Sequence, residues 1–278
     1  MFVVTPRLKI VATILAKNEE DIIAQTIEHH LKQGVWKIIF TDNNSTDDTR
    51  RIAEKYPEVV EVIDEPGNDH NQSLWVTRMA QIACKLDPDW IIHLDADEHW
   101  GGLMALSEIS AEVAGCTRMY LHPPIDWEFD LEQMSPYLDF DDIPIPQECK
   151  IAHRPDPKIV ISHGNHGVET GQSIEFTKRV WRHHYPIRSY KQWERKSLGH
   201  EALLRRNAVC ERWKMWYDSL SSGDLSGQYE RIIRSWRAMI KSPNCEDFLQ
   251  LLEFWATPDM QQFFKKNGMM PKVRKHAK

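Results

Sequence analysis

The chain has no C-x-x-C pair. Its five cysteines, Cys84, Cys116, Cys149, Cys210 and Cys245, are odd in number and widely scattered. This excludes a disulfide framework and a zinc knuckle and leaves free thiols in a reducing compartment as the expectation. No apolar run approaches the roughly 20 residues that cross a bilayer. The opening MFVVTPRLKIVATILAKNEE is broken by Pro6, Arg7 and Lys9, which leaves too short an apolar stretch for a cleaved signal. These absences predict a cytoplasmic protein. Positive charge is not in excess either: the formal net charge of -6 argues against a protein that coats nucleic acid, and no nucleic-acid partner is expected. The glycine fingerprints are missing as well, with no G-x-G-x-x-G after the first strand and no G-x-x-x-x-G-K-[ST] anywhere. A nucleotide bound here would have to be held by metal and basic side chains rather than by a glycine-rich turn.

What is present is ordinary globular material. The 278 residues are 41% hydrophobic and 27% charged, enough for one large domain or two small ones. Leu8 to Leu15, Trp36 to Phe40, Val59 to Ile63 and Trp90 to Leu94 read as strands, as short aliphatic and β-branched runs do. Between them lie helix-length segments. The first, capped by Asn18 with Glu19, Glu20 and Asp21 in its first turn, runs through Ile22, Ile23, Ile27 and Leu31 to Gly34. The second is capped by Ser45 or Thr46 and closed by Pro57, and the third spans Asn71 to Leu86. Helix-length connections predict right-handed crossovers and a parallel sheet. All four strand ends then share one rim, which carries Ala16-Lys17-Asn18, Asp42-Asn43-Asn44, Asp64-Glu65 and Asp95-Ala96-Asp97. Ligands of open α/β sheets bind at this carboxyl edge. Asp95 and Asp97, one residue apart, can converge on a hard divalent cation; the plainer reading is a solvated acidic turn.

The order and spacing of three motifs resemble those of family-two-type glycosyltransferases with the nucleotide-sugar-binding GT-A fold. They are Lys17-Asn18-Glu19-Glu20-Asp21, Asp42-Asn43-Asn44-Ser45-Thr46-Asp47 and Asp95-Ala96-Asp97-Glu98. The likeness covers about the first third of the chain. It implies an α/β, GT-A-like fold with a mostly parallel central sheet flanked by helices and a helical C-terminal extension. It also implies roles by position. Asp42 would contact the base, Ala16 and Lys17 would border base and ribose, and Arg78 would meet the nucleotide or its diphosphate. Asp95 and Asp97 would hold Mn²⁺ or Mg²⁺ against the diphosphate, where a cation stabilises the leaving group. Ala16-Lys17 and Asn43-Asn44 depart from the commonest pattern, which leaves the base open, with a UDP-sugar favoured. For Arg78 the plainer alternative is a surface salt bridge.

In the second half, Leu103 to Val113 reads as a helix and Cys116 to Leu121 as a strand. A Pro- and acid-rich connection follows, holding Asp126, Trp127, Glu128 and Phe129. Lys158 to Ser162 reads as a strand ahead of the polar turn His163 to Glu169, and Arg179 to Tyr185 as another. The segment His184-Tyr185-Pro186-Ile187-Arg188-Ser189 resembles one found in this branch. The resemblance implies that His184 completes the metal or diphosphate shell and that Arg188 touches phosphate. Helices are expected over Tyr190 to Leu198, Glu211 to Leu220, Gln228 to Ile240 and Glu246 to Ala256, rich in aromatics such as Trp213, Trp216 and Trp236. The division expected is a catalytic domain over 1–200, with a nucleotide-sugar half 1–100 and an acceptor half 101–200, and a helical extension with a basic tail over 201–278.

The function implied is a metal-dependent, inverting transfer of sugar from a nucleotide-diphosphate sugar to a glycan or lipid-linked acceptor hydroxyl. The general base is sought in Glu169 and His166, with Asp126 and Glu128 as competitors. Lys265, Lys266 and the tail Lys272 to Lys278 are the candidate for peripheral contact with an anionic membrane. The alternatives are a metal-dependent phosphohydrolase or nucleotidyltransferase working from the same rim, and a non-catalytic nucleotide-sugar-binding scaffold.

Overall fold

The computed structural model describes residues 8–67, 71–124, 137–140, 149–169, 171–204, 224–255, 258–267 and 270–274. The chain divides into two compact units, residues 1–119 with 142–183 and residues 120–141 with 184–278. Of the sequence expectations, the roles of Asp126, Trp127, Glu128 and Phe129, the helix Glu211 to Leu220 with Trp213 and Trp216, and Lys275 to Lys278 lie outside the described residues.

The first unit is built on β1 (Ile10–Ala16), β2 (Val35–Asp42), β3 (Val59–Asp64) and β4 (Trp90–Asp95). All three pairings among them are parallel, in the order β4-β1-β2-β3. The connections are α1 (Ile23–Lys32), α2 (Thr49–Ala53) and α3 (Gln72–Cys84). Alternate residues explain why both faces of the sheet are covered. Ile10, Ala12, Ile14, Ile38, Phe40, Ile92 and Leu94 point to one face and pack with Ile23 and Ile27 of α1 and Ala53 of α2. Val11, Ile39 and Ile91 point to the other and pack with Val76, Met79, Ala80 and Ala83 of α3. Each such fully buried aliphatic side chain contributes about 1.5–3 kcal/mol. A strand sealed on both faces has to be apolar throughout, which is why these runs do not alternate in sequence.

Beyond β4 the sheet continues antiparallel through β8 (Lys150–His153) to β6 (Val113–Leu121). β5 (Glu98–Gly101) pairs with β9 (Ile174–His184). The central sheet is thus parallel where the first third of the chain builds it and antiparallel where later strands add to it. Three local expectations are corrected. The segment after Gly102 is a 3₁₀ helix, Leu103–Glu108, and Val113 already belongs to β6. Lys158 to Ser162 forms no strand, only the isolated bridge Ile161↔Val168. Asn18 does not cap α1, whose N-cap position is Ile22 without a side-chain bond.

In the second unit β7 (Tyr137–Phe140) pairs antiparallel with β10 (Lys272–Arg274). The helices are α4 (Tyr190–Leu204), α5 (Leu225–Lys241), α6 (Cys245–Trp255) and α7 (Pro258–Asn267). Phe140, Phe248 and Phe264 form its aromatic centre, with ring centroids 5.2 to 6.1 Å apart. Asp224 caps α5 by accepting from the Gly227 N–H.

Candidate active site

Register places the rim. Ala16 pairs with Asp42, Asp42 with Asp64, and Leu15 with Asp95, so the four polar clusters end at one level of the sheet. The turns after β1 and β2 are tied together. Asn18 Oδ1 accepts from Thr46 N at 2.7 Å, Asn18 N donates to Ser45 Oγ at 3.0 Å, and Glu19 N donates to Thr49 Oγ1 at 2.7 Å. Glu20 and Asp48 close the lattice, with Asp48 N donating to a Glu20 carboxyl oxygen. Asn18 and Asn44 both adopt left-handed backbone conformations, which asparagine tolerates better than most residues. The polar residues of two sequence motifs therefore serve first to hold two loops against each other.

Asp42 sits inside this frame, 5% exposed. Its Oδ2 accepts from Ser45 N, while its Oδ1 is buried without a hydrogen-bond partner. Thr41 Oγ1 and Asn43 Nδ2 beside it are buried and unpartnered too. Three such atoms in succession are costly in a native structure, and a ligand that bonds them relieves the cost. Ala16 is buried and Lys17 half-buried. Arg78, on α3, forms an ion pair with Glu65 at the end of β3.

The other end of the rim is a charge network. Lys150 Nζ, on β8 and 5% exposed by side chain, donates to Asp95 Oδ2 at 2.5 Å and to the Gly164 carbonyl at 2.8 Å. Asn165 Nδ2 donates to Asp95 Oδ1 at 3.1 Å. Behind them Glu98 is buried. It lies 3.1 Å from Arg182 Nε and 3.8 Å from Lys150 Nζ, and accepts from Trp100 Nε1. Burial pushes the Glu98 carboxyl above its usual range, against the pull of Lys150 and Arg182. Burial would lower Lys150, but the Asp95 and Glu98 carboxylates outweigh it and the ammonium is raised.

Gly164 and Asn165 have left-handed backbones that turn the chain so that one offers its carbonyl and the other its amide to this network. Gly164 N in turn donates to Gln72 Oε1. His166 Nδ1 donates to the Cys149 carbonyl at 2.9 Å, which leaves Nε2 as the acceptor. Burial, then Lys150, pushes its pKa down to about 3, so the ring is neutral at pH 7 and a weak proton acceptor. Glu169 is exposed, beside the Ile161↔Val168 bridge.

A divalent ion held by Asp95 does not fit these residues. Both its carboxyl oxygens already face donors, one of them an ammonium, and Asp97 is itself 5% exposed. Among the described residues no three His, Cys, Asp or Glu side chains converge as metal ligands. His184 belongs to the second unit, where its carbonyl accepts from His122 N. Arg188, in the same unit, is buried and donates to the Tyr185 carbonyl. Lys150, Asn165, Gln72 and Arg182 went unread in the sequence. Arg182 had a signal, since it alternates with buried Val180 on one side of a strand. Lys150, in a four-residue strand, had none.

Residues 12–101, spanning β1 to the end of β5, match the family described as glycosyl transferase family 2. The match covers about the first third of the chain. No curated protein matches the chain. Solved structures do. TarS 1–349 of S. aureus in complex with UDP-GlcNAc is 12% identical, with 92% of this chain and 83% of that one covered and a TM-score of 0.42. Mannosyl-3-phosphoglycerate synthase from Rubrobacter xylanophilus is 18% identical over 42% of this chain and 41% of that one, at 0.33. Glucosyl-3-phosphoglycerate synthase from Mycobacterium tuberculosis, in complex with Mn²⁺, UDP and glucosyl-3-phosphoglycerate, is 18% identical over 41% and 44%, at 0.28.

Proposed function

We propose that the chain transfers a sugar from a nucleotide-diphosphate sugar, a UDP-sugar in the first instance, to a glycan or lipid-linked acceptor hydroxyl with inversion. The observation that carries this reading is the Oδ1 of Asp42, buried on the carboxyl rim without a hydrogen-bond partner. A base N–H donated to this oxygen relieves the cost of its burial, with Ala16, in register with Asp42, and Lys17 beside it. The diphosphate then extends along the rim toward Asp95 and Asp97. The acceptor oxygen attacks the anomeric carbon as the bond to the diphosphate oxygen breaks. The hydroxyl proton passes to a base, and the nucleoside diphosphate leaves. Of the candidate bases, Glu169 suits this task better than His166, because an imidazole near pKa 3 takes up little proton at neutral pH. No step is routed through Mn²⁺ or Mg²⁺, and Asp97 and His184 are left without a proposed part in it.

The acceptor half and the helical extension beyond residue 200 are proposed to bind the acceptor. Among the described residues no helix is long and apolar enough to cross a membrane. Calorimetric titration of the full chain with UDP, GDP, ADP and CDP tests the donor reading. One of them is expected to bind, and Asp42→Ala to weaken it by about ten-fold or more through the lost base contact. Binding of none overturns the proposal. Binding without sugar turnover across acceptors would favour the scaffold reading, and release of phosphate from the diphosphate the phosphohydrolase reading.

A further inference from the structure

The network around Asp95 rests on a lysine where the sequence reading sets a divalent ion. We propose that Lys150 is the resident cation of the donor site, so that binding of a nucleoside diphosphate at this rim does not depend on a divalent metal. This deepens the donor-sugar reading and rests on it.

Three observations carry the inference. Lys150 Nζ stands at hydrogen-bond distance from Asp95 Oδ2, the oxygen a metal would claim, and Asn165 holds the other. The ammonium is fixed from behind by the Gly164 carbonyl. Two of its three N–H groups are thus used, and the third is directed by no hydrogen bond among the described residues, with Glu98 at ion-pair range only. The third observation is energetic. A buried ion pair is seldom retained for stability, since apolar residues of like volume serve as well or better. A lysine buried at the carboxyl edge, beside the acids that face the expected diphosphate, has a use in neutralising charge that develops there. Such a fixed cation needs no reorganisation when the leaving group departs. Arg182 pairs with Glu98 one layer deeper and leaves Lys150 as the cation against Asp95.

The test is calorimetry on the full chain with UDP and GDP, each against its nucleoside, in EDTA and in MnCl₂. Manganese binding is followed in parallel by electron paramagnetic resonance. The wild type is expected to bind the diphosphate about equally in both buffers. Lys150→Met is expected to lose about ten- to hundred-fold of that affinity, the weight of a charge-assisted contact, with nucleoside binding unchanged. Lys150→Arg is expected to recover most of the loss. Should Lys150→Met fail to fold, the wild-type comparison and Lys150→Arg decide. Binding that requires Mn²⁺, with a bound-manganese signal abolished by Asp95→Asn, overturns the role of Lys150 and leaves the donor reading standing. Binding of neither UDP nor GDP, nor of ADP or CDP, in either buffer overturns both.

Discussion

Asn18 illustrates how much a single residue type discloses. Asparagine after a strand and before an acidic run is a helix-cap signal, and the sequence reading took it as one. The side chain does accept a backbone N–H, but that of Thr46, 28 positions away. Capping chemistry was legible; its partner was not, because a loop's neighbour across a sheet edge leaves no periodic mark. Replacing Asn18 by Ala removes this bond and puts a side chain less tolerant of positive φ at 56°. The expected cost is about 1–3 kcal/mol in urea unfolding. Asp42 is the converse case. As a candidate it was readable from the motif, yet only the structure reveals its buried, unpaired oxygen.

At the scale of elements, legibility followed length. Strands β1, β2 and β4 were found because a run sealed on both faces is largely apolar, and β3, a half-exposed edge strand, by its β-branched residues. β5 and β8, four residues each, are too short to display a period, and one contains Glu98 and the other Lys150. Both carry residues of the charge network, and Lys150 went unread with its strand, whereas Gln72 and Arg182 lie on elements that were legible. The pairing of β5 with β9 depends on a close approach. At Gly102, φ is 71° and a Cβ would overlap the Arg179 carbonyl oxygen and the Trp181 ring. A backbone oxygen cannot step aside as a flexible side chain can. Gly102→Ala is expected to lower stability by about 2–4 kcal/mol in thermal or denaturant unfolding.

Across the whole molecule, histidines form an acid-sensitive set. Burial above all pushes His30 and His166 down to about 3, His153 to about 4 and His99 to about 2. His29, His30 and His99 sit together, His29 stacked on His99 and edge-on to His30. An unfolded histidine titrates near 6.5. Below that value the unfolded chain binds protons that the folded chain refuses, so stability is full above about pH 6.5 and is lost as pH falls toward the folded values. One ring with a folded pKa of about 3 costs about 2 kcal/mol at pH 5. Melting temperature is therefore expected to fall from pH 7 to pH 5 and to change little, on this account, from pH 7 to pH 8. A melting series that stays flat down to pH 5 would contradict it.

The charge network also bears on modularity. The segment that carries the family likeness ends at Gly101 and contains Asp95, Asp97 and Glu98. The cations that answer them, Lys150 and Arg182, come from strands 50 or more residues later in the chain and close the sheet on its antiparallel side. Cut after Gly101, the matched segment would lose both cations and the strands β8 and β9 that cover its edge, leaving Asp95, Asp97 and Glu98 crowded there without counter-ions. The matched segment is therefore complete as a pattern and incomplete as a folded object.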